Sequence, residues 1–166
     1  MRKATRSIEL EDIISTNFFG DNDMIIGVVL RSHLALEACI VELVQINKSD
    51  DAIWKKSFPH KTFYLVSNGH IGQSDKEAFD LYNDFRNDFA HIFDHKVGLE
   101  DVLALAVKLE KLGVDFSDSV GHYTPMEATE YYGGIEGVMA EIAWCILFHA
   151  SYLLLKNGGR DIFAAK

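Results

Sequence analysis

Only two prolines, Pro59 and Pro125, occur in 166 residues, and their scarcity limits the fold more than any other feature. Proline breaks helix interiors but is well placed at helix starts, so long helices are permitted almost everywhere. No stretch shows the sustained apolar–polar alternation of a half-buried strand, and no internal repeat is present. The chain is therefore predicted to be all-α, a single-domain helical bundle over residues 1–166.

Helix punctuation divides it further. A short first helix is expected over Ile8 to Asn17. Gly20-Asp21-Asn22-Asp23 then makes a turn and N-cap for a long helix from Met24 to about Ile46, ending at Asn47-Lys48-Ser49-Asp50. A helical turn at Ala52 to Lys56 precedes a helix that starts at Pro59 and stops at Asn68-Gly69. Ser74 and Glu77 have the spacing of a capping box, opening a helix that runs to about His91. Leu99 to Leu112 follows, closed by Gly113. Thr124-Pro125-Met126-Glu127 is a second capping box, and the segment it opens runs to Lys156. Gly133, Gly134 and Gly137 predict a kink or break within that segment. A phosphate-cradling loop is the sharper reading of those glycines, but the preceding strand and following Lys-Ser/Thr are missing.

Composition supports a soluble domain. Apolar residues make up 48% and charged residues 25%, enough for a core and unlike a disordered chain. Cys39 and Cys145 lie in apolar runs without CxxC spacing and read as buried thiols of a reducing, cytoplasmic compartment. The basic start, Met1 to Arg6, leads into acidic residues and not an apolar signal core. Met24–Ile46 and Val138–Leu155 are apolar, but Arg31, His33, Glu37 and Glu42 interrupt the first, and Glu141 and His149 the second. Such groups are costly in lipid, so core helices without membrane contact are expected. The formal charge of −9 repels polyanions at long range.

The chemistry-bearing feature is Arg86-Asn87-Asp88-Phe89-Ala90-His91. Arginine holds phosphate or carboxylate in a forked geometry, and histidine exchanges protons near neutral pH. At about 100° per residue, Leu81, Tyr82, Phe85, Phe89 and Ile92 form the core-facing side. Asp80, Asn83, Asp84, Asn87 and His91 form the opposite stripe, and Arg86 lies on a shoulder about 140° from His91. Arg86 and His91 therefore meet only through the long arginine stem, a distorted last turn or a dimer axis.

Each residue also has a structural reading. Arg86 can tether the bundle, with Glu37 as the expected partner for an acid on a nearly apolar helix. His91 can simply complement a helix C-terminus. His91 and His95 are spaced i, i+4 beside Asp94, but Ile92 replaces the glutamate of a metalloprotease motif. Three good ligands are not evident, so no metal site and no cofactor is predicted. His33 reads as a satisfied core histidine.

The stretch Leu30-Arg31-Ser32-His33-Leu34-Ala35-Leu36-Glu37, a second from Lys61-Thr62 through Phe63 to Ile71, and Arg86 to His91 together resemble the mannitol operon repressor (MltR-like) family. The resemblance covers roughly residues 24–112, about half the chain. That family resembles the HEPN group of helical domains, marked by an Arg and a His separated by four to six residues. The resemblance implies a HEPN-like bundle that forms a homodimer through its motif helices. In catalytic HEPN members, metal-independent endoribonucleases, Arg86 and His91 would correspond to the phosphate-binding and proton-transferring residues. Asn87 matches the polar residue often found after the Arg. Phe93 stands where some members carry a tyrosine, which puts any role for that hydroxyl in doubt.

Two functions follow. One is an MltR-like module of transcription regulation acting through a protein partner, since no helix-turn-helix with a basic recognition helix is visible. The other is a ribonuclease in which RNA is the partner, His91 accepts the 2′-hydroxyl proton and Arg86 stabilises the charged phosphate. Asp80, Asp84, Asp88 and Asp94 outnumber Arg86 and Lys96 around the motif, which favours the first. The polar stripe, turned away from its own core, is expected to lie at the dimer axis that the HEPN-like resemblance implies.

Overall fold

The computed structural model of the protein describes residues 23–47, 52–91, 96–116 and 118–164. The expected helix over Ile8 to Asn17 lies outside them, as do Gly20 to Asn22 and Lys48 to Asp50. Among the described residues the regular structure is helical, with no strand: six α-helices and two short 3-10 turns. The helices are α1 (Asp23–Ile46), α2 (Phe58–Ser67), α3 (Gln73–His91), α4 (Leu99–Lys111), α5 (Pro125–Tyr132) and α6 (Ile135–Lys156). The 3-10 turns are Ile53–Lys55 and Val120–His122. The all-α bundle read from the sequence is the fold of the protein.

The long apolar helices α1 and α6 are each other's most extensive packing partners. Val29, Leu36, Ile40 and Leu43 recur at helical spacing on α1 and are fully buried, as are Met139, Ile142, Ile146 and Ala150 on α6. Removing one such side chain, as in Leu36→Ala, costs about 2–5 kcal/mol through lost burial and the cavity left behind. Both helices are long and apolar enough to cross a membrane by length and composition. In this fold they form the centre of the bundle. On α1 lie α2 and α3, while α4 and α5 pack against α6.

The caps show where local chemistry fixed the ends. The Thr124 hydroxyl accepts the Glu127 N–H at 3.3 Å, and the Glu127 carboxylate accepts the Thr124 N–H at 2.8 Å, the reciprocal box expected there. The box expected at Ser74 and Glu77 is displaced. Helix α3 begins at Gln73, and Asp75 Oδ2 accepts the Gly72 N–H at 2.7 Å. Asp75 is the shorter acid nearer the helix start, so its carboxylate reaches the free N–H, while Glu77 instead accepts from Gln73 at 2.8 Å.

The glycine-rich segment breaks the helix as expected. α5 stops at Gly133, whose φ of 79° is the left-handed conformation that glycine adopts without strain. α6 then starts so close behind that a Cβ on Gly137 would sit 1.9 Å from the Tyr132 carbonyl oxygen. Only a glycine allows that corner.

Candidate functional site

A layer of polar side chains forms where α1, α2 and α3 meet, beside Arg86 of the sequence motif. Helix α1 contributes Ser32, His33 and Glu37, α2 contributes Lys61 and Thr62, and α3 contributes Asp80, Tyr82 and Asn83. Of these, Ser32, His33, Lys61, Thr62, Tyr82 and Asn83 are buried. Polar groups removed from water need hydrogen-bond partners, so this layer is held by specific pairs.

The central pair is His33 Nε2 and Asn83 Oδ1, 3.0 Å apart. Because the amide oxygen only accepts, Nε2 carries the proton and Nδ1 is left as the acceptor. Nδ1 is buried with no hydrogen-bond partner. Burial holds the imidazole pKa below its ordinary value, since a charged ring would lose its water. The cations Arg86 and Lys61 push the same way, against the opposing pulls of Asn83 and Glu37. Neutral His33 rests against the Phe58 ring, centroids 5.1 Å apart. With 3% of its surface exposed, it is out of reach of a polymeric substrate.

Beside it, Ser32 Oγ and the Tyr82 hydroxyl are 2.6 Å apart, and the serine also donates back to the Val28 carbonyl of its own helix. Burial pushes the Tyr82 phenol up to about 12, so it stays protonated as a hydrogen-bonding group. Thr62 donates to Asp80 Oδ1 at 2.9 Å, and Lys76 donates to Asp80 Oδ2 at 2.6 Å.

Glu37 pairs with Lys61 at 2.6 Å. This replaces the Glu37–Arg86 pair expected from the sequence, which is not formed among the described residues. The reason is topological. α2 crosses α1 and delivers Lys61 directly to the acid, whereas Arg86 lies further along α3. Arg86 Nη1 instead donates to Asn87 Oδ1 at 3.0 Å, and its Nε is buried without a hydrogen-bond partner. Arg86 still belongs to the layer, close enough to His33 to act on its charge.

The helical wheel of α3 also needs correction. Asn83 and Asp80, assigned to a stripe facing away from the core, point into the bundle, where α1 and α2 present His33 and Thr62. Leu81, Phe85 and Phe89 of the expected apolar face are only partly buried, although Tyr82 is fully so. A wheel that sends only apolar residues inward fails when the neighbouring helices supply polar partners. The backbone of His91 closes α3, but its side chain lies outside the described residues, as do Ile92, Phe93, Asp94 and His95. Among the described residues no group of three or more side chains has the makeup of a metal site.

Missed by sequence reasoning were Lys61, Asn83 and the Ser32–Tyr82 pair. The available signal was the concentration of polar side chains on α2 and α3 at positions i, i+4 and i+7 of otherwise packed helices, as in Lys76, Asp80 and Asn83. The chain matches no known protein-family model, no curated protein and no solved structure.

Proposed function

We propose that the protein is a regulatory or interaction module of the mannitol-operon-repressor type, acting through a protein partner and without direct DNA binding. The observation that carries this reading is the position of Arg86. It is half-buried beside the Asn83–His33 layer, where its charge acts on His33, and its Nη1 is turned to Asn87 of its own helix, so it sits within the packing of the bundle and not on an exposed phosphate-binding surface. The net charge of −9, with Asp84 exposed on the motif helix, works against a polyanionic partner. The family resemblance adds a cytoplasmic homodimer, for which light scattering at micromolar concentration is the direct measurement.

One observation favours the ribonuclease reading. Arg86 Nε is an unpaired buried donor, and a phosphate oxygen is a group that would satisfy it. Incubation with RNA, with and without EDTA, separates the two functions. The regulatory reading expects intact RNA in both cases and a larger loss of thermal stability in Arg86→Ala than in His91→Ala. Chelator-resistant cleavage by the wild type that vanishes in His91→Ala would overturn it.

A further inference from the structure

Away from the polar layer, α6 carries a second feature that the motif does not explain. Trp144, Phe148 and Tyr152 recur every four residues, which places them along one ridge of the helix. Each is more than half exposed. Trp144 and Phe148 are held from the side by Phe163 of the C-terminal segment, at centroid distances of 6.0 and 4.6 Å. The rings are therefore pre-positioned without being covered.

They wall a cavity of about 600 Å³ that α6 forms with the turn after α4. Its charged lining is of one sign, Asp115 from the turn and Glu141 from α6, with no lysine or arginine. His149 also lines it, but its Nε2 is engaged by Asp75 Oδ1 at 2.8 Å. The buried Cys145 thiol donates to Glu141 Oε1 at 3.4 Å, and burial first, then Glu141, Asp115 and Asp118, push it up to about 12. The cavity thus disfavours negative charge, and its thiol is not a nucleophile.

Aromatic faces carry negative electrostatic potential and attract cations, most strongly organic ammonium groups that shed water easily. Carboxylates at the same cavity supply the balancing charge. An anion would meet repulsion from both, and a neutral apolar ligand would leave the two acids unused. The volume is that of a site for a whole small molecule, larger than one inserted side chain requires. We propose that this cavity binds a small organic ammonium ion, with its cationic head against Trp144, Phe148 and Tyr152 and its charge balanced by Glu141 and Asp115. The assignment is independent of the regulatory reading.

The test uses the full chain carrying Trp54→Phe, so that Trp144 is the only indole fluorophore, titrated with choline and with spermidine. The neutral control is 3,3-dimethylbutan-1-ol, which has the shape of choline without its charge. At least one cation is expected to change the Trp144 emission saturably, with the alcohol about tenfold weaker or more. Glu141→Gln and Asp115→Asn are expected to weaken the cation several-fold, leave the alcohol unchanged and keep the wild-type melting temperature. Asp115 is exposed, so its variant tests the charge even if Glu141→Gln perturbs packing. Trp144→Ala, followed by calorimetry, is expected to abolish cation binding. No saturable binding of either cation up to about 10 mM, well above the range of specific ligands, would overturn the proposal. Equal affinity for the neutral alcohol, or cation affinity unchanged in Asp115→Asn, would do the same. So would N-acetyl-lysine methylamide binding more tightly than both free amines, because the occupant would then be a protein side chain.

Discussion

His33 on α1 and Asn83 on α3 are joined by a hydrogen bond of 3.0 Å, fifty residues apart in sequence and both buried. The bond fixes the proton on Nε2 and leaves Nδ1 buried and unpartnered. Removing Asn83 would strand the other nitrogen as well. Asn83→Ala is therefore expected to cost about 1–3 kcal/mol, the penalty for an unsatisfied buried polar group plus a small cavity. A urea-unfolding free energy within about 0.5 kcal/mol of wild type, as for an ordinary surface substitution, would show that the pair does not hold the layer.

The same histidine makes stability depend on pH. Its folded-state pKa lies below the ordinary 6.5, so the unfolded chain binds the proton more readily. The contribution of neutral His33 is complete above about pH 6.5 and is lost as the pH falls through the lowered folded value. His33→Gln keeps a donor for Asn83 without a titrating ring. Melting curves from pH 7.5 to pH 4.5 are expected to show the wild type losing ground to His33→Gln on acidification. A stability difference independent of pH would remove His33 as the cause.

Glu37 and Lys61 form an ion pair of unequal burial, with 35% of the glutamate side chain exposed but only 4% of the lysine. Glu37→Gln leaves a buried ammonium without its counter-charge, at about 2–3 kcal/mol. Lys61→Met instead leaves a carboxylate that water can reach and a well-filled apolar stem, at about 1 kcal/mol or less. Denaturant melts of the two variants check the order, and the reverse ranking would refute the asymmetry.

Two glycines predict opposite responses to alanine. At Gly137 the new Cβ would collide with the Tyr132 carbonyl, so Gly137→Ala is expected to cost about 2 kcal/mol or more. Gly27, in the interior of α1, has nothing within 4 Å of the same position. Gly27→Ala is expected to stabilise by about 0.5–1 kcal/mol through helix propensity alone. Thermal melts of the pair test whether the α5–α6 corner depends on the missing side chain.

Much of the element plan was readable along the chain because its determinants are local. Pro59 and Pro125 mark helix starts, Thr124 and Glu127 form their box, and the three glycines after Tyr132 break the helix within a few residues of where they stand. The displaced start of α3 shows the limit even here, since Asp75 and Glu77 compete for the same end and only the geometry of the turn selects Asp75.

The candidate site divides differently. By itself the sequence determined which groups were available: an arginine, two histidines and several acids on helices otherwise suited to a core. It also determined that the bundle would be helical, because periodicity and capping act within a few turns. Tertiary structure decided which groups meet. It gave Glu37 to Lys61 in place of Arg86, turned Asn83 inward to His33, and set Ser32 against Tyr82. It also set Trp144, Phe148 and Tyr152 across a cavity from Asp115. Hydrogen bonds and ion pairs act over about 3 Å, whereas these partners lie tens of residues apart, so the crossing of the helices, and not their composition, selects them.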